Sequence, residues 1–166
     1  FTLVFNYSHV SGGMSHTVLL RSDGYAVACG RNNYGQLGSD RSDAERGHTS
    51  SSPNRMYDIR TVNLGTGMTA VSVDCGMYHT CAVLSDGTAK CWGYNGYGNL
   101  GLGSYTTWGD SPSEMGDSLP TLTLGQPAVD VSAGWDHACA VLLDGTLKCW
   151  GHNNYCLLYT SPSPRD

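Results

Sequence analysis

Short runs of β-forming residues separated by glycine-containing turns recur along the chain. Residues 79–84, HTCAVL, and residues 88–93, TAKCWG, are separated by three residues that include Asp86 and Gly87. A three-residue loop that ends in glycine between two such runs predicts a β-hairpin, with a type I turn followed by a left-handed glycine. The same turn recurs at Asp23-Gly24 and Asp144-Gly145.

The hairpins belong to one motif that occurs three times, in residues 13–38, 76–101 and 134–155. Each copy has a glycine, a histidine three residues later, Asp-Gly, a further glycine, asparagine and tyrosine, with no gap inside the motif. An agreement over so many positions predicts an internal structural repeat with a period of about 60 residues. The predicted framework residues are Gly13, His16, Asp23, Gly24, Gly76, His79, Asp86, Gly87, Trp92, Gly134, His137, Asp144, Gly145 and Trp150.

The repeat predicts an all-β fold built by stacking. An isolated hairpin is marginally stable in water, so each unit must bury its apolar face against its neighbours. A hairpin plus a further strand, such as IRTVNL from Ile59 or LPTLTL from Leu119, fits one four-stranded blade of a β-propeller. The segments at about 39–57 and 102–120 are rich in Ser, Gly, Asp and Pro, which predicts long surface loops.

Composition narrows the function. Glycine accounts for 22 of 166 residues, which favours many tight turns. The formal net charge is −5 and no cluster of Lys or Arg is present, which argues against direct binding of nucleic acid. No apolar run is long enough to cross a bilayer. The sequence has no nucleophile elbow and no glycine-rich phosphate loop, so we expect neither an enzyme nor a cofactor.

The segment GMYHTCAVLSDGTAKCWGYNGYGNLG, residues 76–101, resembles the repeats of the regulator of chromosome condensation family. The resemblance extends from about residue 10 to residue 155. It implies a seven-bladed β-propeller, of which residues 1–155 would supply about three blades. The first copy departs from the pattern with Cys29-Gly30 where the others have Trp-Gly, which predicts looser packing there.

The two ends of the sequence suggest part of a longer protein. The chain opens at Phe1 without an initiator methionine or a signal pattern, and the third copy loses the motif after Tyr155. Residues 156–166, CLLYTSPSPRD, match the translation of a transposase sequencing adapter, and we expect them to be an artefact. The alternative is a genuine proline-rich C-terminus. We expect an open array of blades to fold poorly alone.

Four cysteines occupy equivalent places in two copies, Cys81 with Cys91 and Cys139 with Cys149. A hairpin centred on its Asp-Gly turn places the two members of each pair opposite one another, close enough for a disulfide. Val18 and Ala28 replace both members in the first copy, so the cysteines are present or absent together. The alternatives are reduced buried thiols and a zinc site, although the spacing lacks a C-x-x-C knuckle. Disulfides imply an oxidising compartment, and reduced thiols a cytoplasmic or nuclear one.

Other residues with chemical potential have structural explanations. His16, His79 and His137 could serve as general bases or metal ligands, but each holds the same place in its own copy, which favours a framework role. Tyr105 and Trp108, aromatic residues in a polar loop, are candidates for partner contact, and packing of the loop onto a blade is the alternative.

Two functions follow from these features. The first is a non-catalytic, monomeric module of a larger secreted or cell-surface protein, which binds a protein partner through loops on one propeller face. The second is an intracellular regulatory propeller, such as a guanine-nucleotide exchange factor for a Ran-type GTPase or a domain of a HECT-type ubiquitin ligase. The second rests on the resemblance alone.

Overall fold

A computed structural model describes residues 5–39 and 59–153. Residues 40–57 of the loop predicted at about 39–57 and the expected artefact at 156–166 lie outside the described residues. The elements within the described ranges are β1 (Tyr7–Gly12), β2 (His16–Arg21), β3 (Ala26–Gly30), β4 (Arg60–Thr61), β5 (Ala70–Cys75), β6 (His79–Leu84), β7 (Ala89–Gly93), a 3₁₀ turn (Gly116–Ser118), β8 (Ala128–Ala133), β9 (His137–Leu142) and β10 (Leu147–Gly151).

The strands form three antiparallel sheets, one for each copy of the motif. Blade 1 has the order β1-β2-β3-β4, blade 2 has β5-β6-β7, and blade 3 has β8-β9-β10. The first strands of the blades, β1, β5 and β8, lie side by side along the inner edge, where β5 contacts both of the others. The all-β, propeller-type fold expected from the repeat is therefore confirmed.

The predicted hairpin turns form as expected. Gly24, Gly87 and Gly145 have φ of +86°, +83° and +82°, the left-handed region that glycine adopts without a Cβ penalty. The Oδ1 atom of Asp86 accepts hydrogen bonds from the backbone N–H and the hydroxyl of Thr88, at 2.9 and 2.7 Å. These bonds lower the pKa of Asp86, and the equivalent bonds from Thr146 lower that of Asp144. Aspartate and glycine thus each fix one part of the turn.

Within the part of the chain that the structure describes, a fourth strand forms in blade 1 and not in blades 2 and 3. Arg60 and Thr61 pair with Ala28 and Val27, as the IRTVNL segment predicts. The prediction of a strand at LPTLTL was wrong: residues 119–124 meet β7 through one backbone bond, from Leu122 N–H to Ala89 O at 2.8 Å. Pro120 stands at the position of Arg60 and has no N–H to donate, so regular pairing cannot extend there.

Two apolar cores lie between the blades. The first lies between blades 1 and 2; its main residues are Val18, Leu20, Ala26 and Ala28 from blade 1 and Val73, Ala82, Leu84 and Trp92 from blade 2. The second lies between blades 2 and 3; its main residues are Cys81, Val83, Ala89 and Cys91 from blade 2 and Val131, Ala138, Ala140 and Leu142 from blade 3. Every residue of β6 and β7 is buried because blade 2 is covered on both faces.

Polar side chains also connect the inner strands. Asp74 on β5 accepts hydrogen bonds from the Ser11 hydroxyl on one side and from the Ser132 hydroxyl and Ala133 N–H on the other. A single carboxylate of the middle blade thus contacts both neighbouring blades. These bonds fix the stagger of the inner strands, which apolar packing alone leaves less defined.

A buried lysine attaches the second long loop to blade 2. The ammonium of Lys90 donates to the carbonyl oxygens of Leu64 and Gly116, at 3.1 and 2.7 Å, and the residue is only 6% exposed. Burial lowers the pKa of Lys90, and the nearby carboxylates of Asp117 and Asp86 partly offset the effect. Asp117 accepts two further hydrogen bonds from Thr66, at 2.8 and 2.6 Å. These bonds join the second long loop to the segment that connects β4 and β5.

We predict that Lys90→Met lowers the free energy of unfolding by about 2 kcal/mol, because two buried carbonyls lose their donor. The measurement is urea denaturation followed by tryptophan fluorescence. Lys148→Met is the matched control, since Lys148 holds the equivalent position in blade 3 and is exposed. We expect the control to change stability by less than about 0.5 kcal/mol. Equal effects of the two substitutions would contradict the role given to Lys90.

Candidate functional site

The turns and loops of the repeated motif meet at one end of the blades, which we call the motif face. Each loop that follows a hairpin is bonded to the turn that precedes the hairpin. Arg31 N–H donates to Ser15 O at 2.8 Å, and Tyr94 N–H donates to Tyr78 O at 2.9 Å. In blade 3, His152 N–H donates to Asp136 O at 2.8 Å. The Asp-Gly hairpin turns lie at the opposite end, which we call the hairpin face.

Side-chain amides hold the motif-face loops in shape. The Oδ1 atoms of Asn32 and Asn95 accept from the N–H groups of Leu37 and Leu100, at 2.9 and 3.0 Å. Gln36 and Asn99 accept from the N–H groups two residues before them, at 2.9 and 3.0 Å. All four amide side chains are buried. The loops are therefore rigid supports for the residues that they expose.

Four tyrosines form a continuous cluster on these supports. The ring centroids of Tyr34 lie 5.3 Å from those of Tyr78 and 5.0 Å from those of Tyr94. Tyr97 contacts Tyr94 at 6.2 Å and stacks on the ring of His152 at 4.4 Å. The cluster crosses both boundaries between blades, because Tyr78 and Tyr94 belong to blade 2 and His152 follows blade 3.

Three apolar side chains form a second row beside the tyrosines. Met14 N–H donates to Met77 O at 3.3 Å, and Met77 N–H donates to Trp135 O at 3.1 Å, so the three residues are neighbours. Met14 is 62% exposed and Trp135 is 75% exposed. Aromatic residues and methionine are the types enriched in the centres of protein interfaces. The motif face thus exposes an aromatic and apolar surface on a rigid base.

The charge state of this surface is set locally. Burial raises the pKa of Tyr94, and the neighbouring Tyr97, Tyr34 and Asp136 add to the effect. Tyr94 therefore keeps its phenolic proton at neutral pH and can donate a hydrogen bond. The guanidinium of Arg31 lies 6.0 Å from the ring centroid of Tyr78, at the outer limit of a cation–π contact.

Comparison with known proteins supports the same framework. The model of the regulator of chromosome condensation (RCC1) repeat matches residues 7–36, 70–99 and 128–155, and a second RCC1 repeat model matches residues 23–83 and 86–141. The chain belongs to the RCC1 repeat family. The prediction made from the motif is therefore confirmed.

Curated relatives with RCC1-type similarity are much longer than this chain. The human probable E3 ubiquitin-protein ligase HERC4 is 31% identical over 186 aligned positions, which cover 88% of the chain and 17% of the relative. The Arabidopsis thaliana ultraviolet-B receptor UVR8 is 31% identical over 148 positions, which cover 88% of the chain and 29% of the relative. The chain thus spans less than a third of either relative.

Solved structures show the same fold. Human WBSCR16 superimposes with a TM-score of 0.70 at 26% identity, covering 91% of the chain and 35% of that protein. Yeast RCC1 (Prp20), in the structure bound to Kap60, superimposes with a TM-score of 0.65 at 23% identity, covering 89% of the chain and 32% of that protein. These matches agree with a partial propeller.

The RCC1 histidines are part of the contact between blades. A Cβ atom on Gly13 would lie 2.2 Å from Cε1 of His16 and 2.5 Å from Gly76 O, so only glycine lets the ring lie there. His16 Nε2 is 3.0 Å from the Thr80 hydroxyl, which itself donates to Gln36 O at 2.9 Å. Because the hydroxyl proton is used, His16 is the donor to Thr80. The ring thus connects blade 1 to blade 2.

The second histidine lacks this connection. Both ring nitrogens of His79 are without a hydrogen-bond partner at acceptable geometry within the described ranges. The third copy has Ala138 at the position of Thr80, as the pairing of these residues with Trp150 and Trp92 shows. A buried imidazole without a partner is destabilising.

The predicted cysteine pairs lie at bonding distance. The sulfur atoms of Cys81 and Cys91 are 2.05 Å apart, and those of Cys139 and Cys149 are 2.09 Å apart. The first pair is fully buried between blades 2 and 3, and the second is partly exposed on the face of blade 3 that points away from blade 2. Cys29 and Cys75 are free thiols, and burial raises the pKa of Cys75 to about 11.

The two loop aromatics differ in their surroundings. Trp108 packs against both cores, and its backbone pairs with Gly93. This arrangement agrees with the alternative in which the loop packs onto a blade. Tyr105 is 76% exposed and stays a candidate for partner contact. The tyrosine cluster was not among the sequence candidates, although a tyrosine recurs in the asparagine-containing loop of each copy. The recurrence of this tyrosine is the sequence feature from which the cluster could have been predicted.

We predict that Ala138→Thr raises the free energy of unfolding by about 1 kcal/mol. The new hydroxyl can accept from His79 and donate to Asn99 O, which already accepts from Trp150 Nε1 at 2.9 Å. Gln36 O accepts the equivalent pair of bonds in the first interface. Ala140→Thr is the control: it buries a hydroxyl in the same core away from the histidine, and we expect it to destabilise. The measurement is chemical denaturation at pH 7.5.

We also predict that stability falls as the pH drops from about 6.5 to 4. Burial lowers the pKa of both His16 and His79 from 6.5 to about 4. Below pH 6.5 the unfolded chain takes up protons that the folded chain rejects, so each histidine costs roughly 1.4 kcal/mol per pH unit. Denaturation midpoints between pH 7.5 and 4.5 test this. A slope unchanged in the His16→Gln, His79→Gln double variant would contradict it.

Proposed function

We propose that this RCC1-repeat chain is a non-catalytic protein-binding module and that the motif face is its binding surface. The observation that carries the proposal is the continuous aromatic and apolar surface described above. Large exposed apolar patches on a rigid base are typical of interaction sites. Tyr and Trp supply contact area at a low cost in conformational entropy.

The surface is prepared for binding in two respects. Its loops are held by buried amides, so little backbone ordering has to occur on association. Its tyrosines combine an apolar ring with a neutral hydroxyl that can pair with polar groups of a partner.

Among the residues that the structure describes, no group of three or more His, Cys, Asp or Glu side chains is arranged to hold a metal ion. No described helix is long and apolar enough to cross a membrane.

The test compares matched variants at the two ends of the blades. Tyr97→Glu with Trp135→Glu alters the motif face, and Tyr25→Glu with Leu143→Glu alters the hairpin face; all four positions are between 47% and 75% exposed. A partner captured by crosslinking is purified, and its affinity is measured by isothermal titration. We predict a loss of tenfold or more for the motif-face variant alone, since about 1.4 kcal/mol corresponds to tenfold. A loss confined to the hairpin-face variant would refute the proposal.

We further propose that the module works in an oxidising compartment, as part of a secreted or cell-surface protein. The proposal is supported by two cysteine pairs at bonding distance in equivalent hairpins. Disulfides persist in such compartments and are rare in the cytosol.

Alkylation in denaturant without reduction, followed by peptide mass analysis, tests the pairing in protein isolated from its source, because the denaturant exposes the buried cysteines to the reagent. We predict that Cys29 and Cys75 are labelled and that Cys81, Cys91, Cys139 and Cys149 are labelled only after reduction. Labelling of all six without a reductant would place the chain in a reducing compartment.

The second candidate is an intracellular regulatory propeller. It is favoured by the similarity to HERC4 and by the structural match to yeast RCC1. Accelerated nucleotide release from a Ran-type GTPase would support exchange activity directly. Free thiols at the four paired positions, combined with such activity, would decide for this candidate.

A further inference from the structure

An acceptor sequence for N-linked glycosylation lies at the start of blade 1. Asn6, Tyr7 and Ser8 have the pattern Asn-x-Ser, in which x is any residue except proline. Neither Asn-x-Ser nor Asn-x-Thr occurs at any other place in the sequence. An attached oligosaccharide is bulky and polar, so the asparagine that carries it must lie at the surface. The surroundings of Asn6 meet this requirement.

Asn6 lies at the hairpin face, one residue before β1. Its backbone carbonyl accepts a hydrogen bond from Ser22 N–H at 2.9 Å, which holds it beside the first hairpin turn. Asn6 is exposed, and so is Ser8, which lies at an irregularity in the register of β1. The carboxamide and the hydroxyl that define the pattern thus both lie outside the two apolar cores.

A preceding blade leaves this position accessible, as blades 2 and 3 show. Thr69 and Pro127 hold the place of Asn6, and each lies beside the Asp-Gly turn of the blade before it. A Cβ atom on Gly24 would lie 2.7 Å from Cβ of Thr69, and one on Gly87 would lie 2.8 Å from Cβ of Pro127. Thr69 is nevertheless partly exposed and Pro127 is exposed. This place in the repeat therefore keeps access to solvent when a blade packs in front of it.

The repeat itself does not require the two polar residues. Thr69 and Pro127 replace the asparagine, and Val71 and Val129 replace the serine, in strands with the same irregularity of register. By contrast, the framework glycines and histidines are the same in all three copies. The combination of Asn and Ser is confined to the first copy, which favours a role outside the framework.

We propose that Asn6 carries an N-linked oligosaccharide. The donor is an oligosaccharide joined through its anomeric carbon to a lipid pyrophosphate, and the acceptor is the carboxamide nitrogen of Asn6. A bond from this nitrogen to the anomeric carbon forms as the bond from that carbon to the pyrophosphate oxygen breaks. The nitrogen loses one proton and the lipid pyrophosphate leaves, so no oxidant or reductant is needed. The transfer belongs to the secretory pathway, so the inference rests on the compartment proposed above.

The position of the glycan also bears on partner binding. It occupies the hairpin face, at the end of the blades opposite the tyrosine cluster. Its bulk hinders a protein from docking at that end and leaves the motif face open.

The test is peptide mass analysis of protein isolated from its source, before and after treatment with peptide N-glycosidase in isotopically labelled water. The enzyme removes the glycan and leaves the label on the residue that carried it. We expect a loss of mass equal to one glycan and the label at position 6. An unlabelled Asn6 in protein whose four paired cysteines are oxidised would overturn this proposal and leave the proposed compartment standing. An unlabelled Asn6 together with free thiols would overturn both.

Variants expressed with a secretion signal test the acceptor sequence itself. Asn6→Gln and Ser8→Ala should each abolish the glycan, whereas Ser8→Thr, the matched control, should retain it. Both positions are exposed, so the fold should be unchanged, as far-UV circular dichroism can check. A glycan that persists in Ser8→Ala, or one that is missing from the unaltered chain, would contradict the proposal.

A double variant tests the same position beside a preceding blade. Thr69→Asn with Val71→Ser gives blade 2 the acceptor pattern, and Thr69→Gln with Val71→Ser is its control without an acceptor asparagine. We expect both chains to be secreted and the first to carry one glycan more than the second. Secretion of the control alone would show that a glycan here is incompatible with a preceding blade, and it would overturn the proposal.

Discussion

The structure depends on the packing of each blade against the next. A three-stranded sheet of this size has two faces and cannot cover either by itself, so its stability comes from its neighbours. Blade 2 shows the complete arrangement, with β6 and β7 buried on both faces. Among the described residues, each outer blade is covered on the face that packs against blade 2, and its opposite face exposes Val10 in blade 1 and Val141 and Leu147 in blade 3.

Around these apolar contacts, a smaller set of polar contacts fixes the relative position of the blades. The histidine ring of each copy lies on its own glycine, Gly13 and Gly76 lie against the glycine carbonyl of the next copy, and Asp74 connects the inner strands on both sides. These contacts are directional, so they define a stagger that apolar packing tolerates only loosely. Where a copy lacks one member, as at Ala138, the partner histidine is left without a hydrogen bond. The copies thus share one backbone arrangement, but they differ in which buried polar groups have a hydrogen-bond partner.

The same scaffold explains why the two ends of the blades differ. At the hairpin face, Asp and Gly satisfy their own turns, and Tyr25 and Leu143 are exposed beside them. At the motif face, the amides of Asn and Gln satisfy the loop backbone internally, so the tyrosines and the methionine and tryptophan row are free to be exposed. Because these loop N–H groups are bonded within the loops, the backbone there does not depend on a partner for its hydrogen bonds. The proposed binding surface therefore lies at the motif face, where the internally bonded loops expose the tyrosine cluster and the row of Met14, Met77 and Trp135.

The repeat by itself determined the hairpins, their Asp-Gly turns, the opposition of Cys81 to Cys91 and the assignment to stacked blades, because these follow from local spacing and turn chemistry. The fourth strand could not be judged from β-propensity, since Pro120 removes a donor that matters only once the partner strand is known. The tyrosine cluster and the burial of Lys90 were decided by tertiary structure alone. In both cases residues from distant parts of the chain are in contact. The sequence of one copy does not show which side chains of other segments will lie beside it.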